Sequence, residues 1–107
     1  MNLPTDSLIA PAKIHDYLLK HREVDDKSGF LALAGYDRSQ AHLLEQDIRA
    51  LLRLEAAPTE TTEYVEKFTI CGVLTGPNGR RLRVRSIWAK LHTTGETRFV
   101  TLYPDHS

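Results

Sequence analysis

Apolar and polar positions change their period partway along the chain, and the change divides it in two. In the first half the spacing is helical. Pro11 suits a first helical position, because its φ is fixed and it lacks an N–H, and Ile14, Tyr17, Leu18 and His21 then share one face, which predicts a helix from Pro11 to about Arg22. The acidic knot Glu23 to Asp26 interrupts that face and supplies capping carboxylates for the next element. Phe30, Leu31, Leu33 and Ala34 predict a short buried helix closed by Gly35 as its C′ residue. Ser39 then serves as the expected N-cap of a third helix reaching about Glu55, with Leu44, Ile48, Leu51 and Leu52 as its apolar stripe.

Pro58 stops the helical pattern, and the Thr-rich stretch from Ala56 to Thr62 has no period of its own, so it reads as a linker. From Glu63 the period is two. Tyr64, Phe68, Ile70 and Leu74 alternate with Val65, Lys67, Thr69, Cys71 and Val73, and the TGPNG segment reverses the chain. In the return strand Arg81, Arg83 and Arg85 alternate with Leu82 and Val84. Continued past Ser86, that parity puts Ile87, Ala89 and Leu91 on the arginine side, and a bulge near Arg85 or Ser86 is expected to return them to the core. A last strand, Thr97 to Pro104, places Phe99, Thr101 and Tyr103 on one parity. The expectation is a single α+β domain over 1–107, with about three N-terminal helices (about 11–55), a linker (56–62) and a C-terminal antiparallel sheet of three or more strands (about 63–104).

Composition changes this picture little. Apolar residues at 41% and charged residues at 26% are ordinary for a packed globular domain. No apolar run approaches the length of a membrane span and the first residues lack the form of a signal peptide, so a cytoplasmic location with no membrane contact is expected. The single cysteine, Cys71, lies in a strand-like run and is expected to be a buried thiol.

Charge changes it more. Up to Glu66 there are 7 Lys and Arg against 12 Asp and Glu, and from Lys67 onward 7 against 2, so a neutral chain carries −5 on one half and +5 on the other. A sheet built from the second half presents a positive field suited to a polyanion or an acidic protein.

Spacing excludes several chemistries. One cysteine, no HExxH, no metal-like histidine pair, no P-loop ending and no GxSxG or GxGxxG leave neither a metal site nor a cofactor site to expect. Cations, hydroxyls and histidines around a sheet remain, the materials for metal-independent RNA cleavage. That reaction needs a group to take the 2′-OH proton, a donor to the leaving oxygen and fixed positive charge on the phosphate. Arg85, helped by Arg83, fits the last role, Thr101 and Tyr103 bring hydroxyls from the adjacent strand, and His92 in the following loop is the histidine nearest the basic strand in sequence.

Three segments, DKSGFLALAGY (Asp26 to Tyr36), CGVLTGPNGRRLRVRSIW (Cys71 to Trp88) and TRFVTLYP (Thr97 to Pro104), resemble a family of small bacterial domains of uncharacterised function. Such domains stand alone beside a small partner gene or close polymorphic toxins, and in layout they are similar to the barnase/RelE-like ribonucleases. The resemblance implies site roles for Lys27, Arg85, Trp88, Arg98, Thr101 and Tyr103. Trp88 and Arg98, with Arg83, would contact substrate. It further implies RNA or tRNA as substrate and a cognate antitoxin or immunity protein as partner. Related toxins often carry a histidine near the second helix; EVDDKSG has none here, and RelE-type enzymes use mainly Lys, Arg and Tyr. A non-catalytic binding module, such as an immunity, antitoxin or inhibitor protein, is the alternative expectation.

Overall fold

A computed structural model describes residues 2–19 and 27–105, with the side chains of 15–17 excepted. The basis of the architecture is a four-stranded antiparallel sheet in the order β1 (Ala57–Thr61), β2 (Val65–Thr75), β3 (Arg81–Leu91) and β4 (Thr97–Pro104). The period-two half therefore forms the expected meander, and a further strand precedes it. β1 occupies the stretch expected to be a linker; its five residues are all exposed, so no alternation marks it, and pairing with β2 alone defines it.

The expectation of three N-terminal helices is overturned. Among the described residues only 38–53 make a helix of several turns: α2 (Ala41–Ala50) continues into 3₁₀ turns at each end, Arg38–Gln40 and Leu51–Arg53. Its N-cap is Asp37 rather than Ser39, the Asp37 carboxylate accepting from the Ser39 N–H at 3.0 Å. Before it, α1 (Ser28–Ala32) is barely more than one turn, ending as expected near Gly35 at φ 90°. Of the first expected helix, Pro11 and Ala12 open a short helical stretch that Lys13–Leu18 continue as six residues of π-helix, with Leu19 donating to the Ile14 carbonyl. Apolar spacing in that segment buries Ile14 and Leu18 without requiring a long helix. Its expected end at Arg22, its His21 and the capping role of Glu23 to Asp26 lie outside the described residues.

One face of the sheet carries the core. Phe68, Ile70 and Leu74 of β2, Leu82, Val84 and Trp88 of β3 and Phe99 and Leu102 of β4 meet Ile14, Leu18, Leu31, Leu44, Ile48 and Leu52. Trp88 and Phe99 cross edge to face with centroids 5.3 Å apart. β3 keeps its parity throughout, which buries Ser86 instead of Ile87. The Ser86 hydroxyl donates to the Ile70 carbonyl at 3.0 Å and accepts from the Trp88 indole N–H at 2.9 Å, so the buried polar group is satisfied and no β3 bulge is needed. The bulge falls on β4 instead. Ile87 pairs with Thr101 and Trp88 with Phe99, leaving Val100 as the extra residue, and this turns Phe99 inward while Thr101 and Tyr103 point to the other face. Cys71 lies on that other face too and is exposed rather than buried.

The β4 edge is partly closed by the N-terminal arm. Leu8 makes a parallel bridge to Arg98, donating to the Thr97 carbonyl and accepting from the Phe99 N–H, both at 2.8 Å. Ile9 beside it enters the core at 3% exposure.

Candidate functional site

The sheet face opposite the core shows the outward residues of β2, β3 and β4. Arg81, Arg83 and Arg85 stand exposed along β3, each one pleat period, about 7 Å, from the next. Antiparallel register sets Cys71, Arg85 and Tyr103 in one row across the three strands, with Val73 opposite Arg83 in the neighbouring row. Directly opposed side chains in such rows have Cβ atoms about 5 Å apart, so Arg85 and Tyr103 lie at one spot.

Lys27 joins them from the helical layer. Although a lysine, it is only 4% exposed, and its ammonium lies 4.8 Å from the centre of the Tyr103 ring. Its position is held at the other end of α1. The Asn78 side chain donates to the Leu33 carbonyl at 3.1 Å and its backbone N–H to the Ala34 carbonyl at 3.3 Å, while its Oδ1 accepts from the Arg80 N–H at 2.9 Å. A methyl at Gly76 would sit 2.0 Å from the Ala34 carbonyl oxygen, so only glycine lets the turn approach α1 this closely. The three segments that carry the family resemblance thus meet: the first brings Lys27, the second Arg85 and the clasp, the third Tyr103.

The other expected site residues are distributed differently. Thr101 shares the outward face but is 5% exposed. Arg83 is exposed one row away, opposite Val73. Arg98 is exposed farther along β4, where it pairs with Glu96. Trp88 is wholly buried in the core, out of reach of any ligand on the surface. His92 lies beyond the far end of β3, about 20 Å from Arg85, with Nδ1 3.1 Å from the Glu63 carbonyl.

A second polar pair escaped the sequence reading. The Tyr36 hydroxyl, in a buried side chain, donates to Asp47 at 2.5 Å and contacts the Thr75 carbonyl at 3.2 Å, tying α2 to the end of β2. Burial first, then the hydrogen bond to the Asp47 carboxylate and its charge, push the Tyr36 phenol well above its ordinary value. The available signal was Asp47 itself, an acid three residues after Leu44 and four before Leu51, within the apolar stripe.

Arg81, Arg83 and Arg85 are exposed on their face. The clefts elsewhere include one of about 390 Å³ between the N-terminal arm and the β3–β4 loop, lined in part by Asp6, Ser7, Glu96 and Thr97. Among the described residues no three His, Cys, Asp or Glu side chains gather in a metal-binding group, and no helix is long and apolar enough to cross a membrane.

Over 95% of its length the chain superposes on 96% of a chain in the contact-dependent growth inhibition toxin–immunity protein complex from Klebsiella pneumoniae 342, with a TM-score of 0.65 and 17% identity. At that identity the likeness is one of fold. No curated protein matches. At the level of sequence, residues 4–106 match the domain of unknown function DUF6883, and the chain belongs to that family.

Proposed function

We propose that the domain is a toxin-like, metal-independent ribonuclease acting on RNA or tRNA and controlled by a cognate partner protein. The observation that carries this reading is the convergence of Lys27, Arg85 and Tyr103 at one end of the arginine face. Arg85 offers a charged fork to two phosphate oxygens, Lys27 adds a second positive charge and Tyr103 supplies a hydroxyl for proton transfer. An exposed face suits a polymer better than a small molecule, which needs an enclosing pocket. The affinity with barnase/RelE-like enzymes belongs to this proposal, as does the toxin context, which the fold shared with a chain of a toxin–immunity complex supports.

The remoteness of His92 favours a second reading, a non-catalytic member of such a complex. One experiment separates the two. Purified protein is incubated with total RNA and with tRNA in EDTA, and the products are resolved on a gel. Discrete cleavage that is lost in Arg85→Ala and Tyr103→Phe supports the enzyme; intact RNA with the wild-type protein ends that reading and leaves the binding module.

A further inference from the structure

The arginine face carries more than a phosphate site requires. Val73 is 48% exposed and Tyr103 43% exposed, and they lie in neighbouring rows with Arg83 and Arg85 between them. Cations dominate the surroundings. Lys67, Arg81, Arg83 and Arg85 face outward with Lys27 at the margin, the carboxylate of Glu60 engages Lys67 at 3.4 Å, and Asp105, donating its N–H to the Arg83 carbonyl, follows β4 in the row of Arg83. Acidic residues of the helical half, such as Glu45 and Asp47, sit on α2 in the other layer.

We propose that this face, centred on Val73, is the docking surface of an acidic protein whose carboxylates meet Arg81 and Arg85 and whose apolar side chains rest on Val73 and on Tyr103. Charge complementarity selects an acidic occupant. Val73 selects a protein among acidic occupants: an aliphatic side chain contributes nothing to a phosphate backbone, whereas aliphatic, tyrosine and arginine side chains together have the composition of a protein interface. The same occupant covers Arg85 and Tyr103 and therefore closes the catalytic site to RNA. That regulatory consequence rests on the ribonuclease reading, while the docking surface itself does not.

The test uses the protein encoded by the gene directly adjacent to this one, purified separately and titrated calorimetrically against the full chain at low and at physiological salt. Val73→Asn and Arg81→Glu are each expected to weaken the complex by about 30-fold or more, and Glu45→Lys on α2 to leave it unchanged. Circular dichroism confirms that each variant is folded. RNA cleavage by Val73→Asn is expected to equal wild type, and the partner no longer to suppress it. Wild-type affinity in Val73→Asn, or no complex with the adjacent protein, overturns the proposal. So does a single-stranded RNA oligonucleotide whose binding, in place of the protein's, depends on Val73. A Val73-dependent complex formed by a chain that leaves RNA intact removes the ribonuclease reading and keeps the docking surface.

Discussion

The ammonium of Lys27 lies 4.8 Å from the centre of the Tyr103 ring, joining the loop that opens α1 to the last strand of the sheet. The two residues are far apart in sequence. Their contact gives Tyr103 a ring that receives a cation, while the proposed ribonuclease chemistry would use its hydroxyl. Tyr103→Phe is expected to keep the ring contact and change stability by less than about 0.5 kcal/mol, and on the ribonuclease proposal to lower RNA cleavage by about 100-fold or more. Tyr103→Leu is expected to lose about 1 to 2 kcal/mol as well. Urea denaturation read beside a cleavage assay distinguishes the two effects.

Ser86 lies directly behind the arginine face and satisfies both the Ile70 carbonyl and the Trp88 indole. Ser86→Ala leaves the indole N–H buried without an acceptor. A loss of about 1 to 3 kcal/mol is expected in urea denaturation, and Ser86→Thr is expected to recover part of it.

Reading the sequence recovered β2, β3 and β4 because each strand has one buried and one exposed face, and that contrast is what alternation records. It missed β1 because a short, wholly exposed edge strand has no such contrast. It put the bulge on the wrong strand because apolar Ile87, Ala89 and Leu91 on the arginine parity suggested a break within β3, whereas only cross-strand pairing shows that β4 carries the extra residue and so separates Phe99 from Thr101 and Tyr103. The first helix was overestimated because burying Ile14 and Leu18 needs only a short helical stretch. At the site, Arg85 was legible as an outward residue of β3, but Tyr103 was read on one face with Phe99, from which the β4 bulge separates it. The depth of Lys27 was not legible, since nothing in the surrounding polar residues distinguishes a lysine held against a ring from one in water.

The clasp between α1 and the β2–β3 turn makes a steric prediction. Gly76→Ala drives a methyl into the Ala34 carbonyl, where backbone and not a flexible side chain must move. A destabilisation of about 2 to 3 kcal/mol is expected in thermal or urea denaturation. Asn78→Ala, which removes only the side-chain bonds of the same clasp, is expected to cost about 1 kcal/mol.

Tyr36 gives the stability a pH dependence at the alkaline end. Its folded-state phenol holds its proton more tightly than the ordinary phenol near 10.0, so above about that pH the unfolded chain binds fewer protons than the folded one. Stability is therefore expected to fall as pH rises past 10, with the contribution of Tyr36 fully present below it. Tyr36→Phe is expected to start from a lower stability, having lost its bond to Asp47, and to show a shallower alkaline decline in urea midpoints measured from pH 8 to 11.

The bridge between Leu8 and Arg98 also constrains the order of events during synthesis. Leu8 is synthesised well before its partner groups on Thr97 and Phe99. The β4 edge is therefore closed, and Ile9 buried beside it, only after β4 itself has been made. Until then the nascent domain exposes both an unpaired arm and an unfinished sheet, and a chaperone or a neighbouring nascent chain has that interval in which to bind.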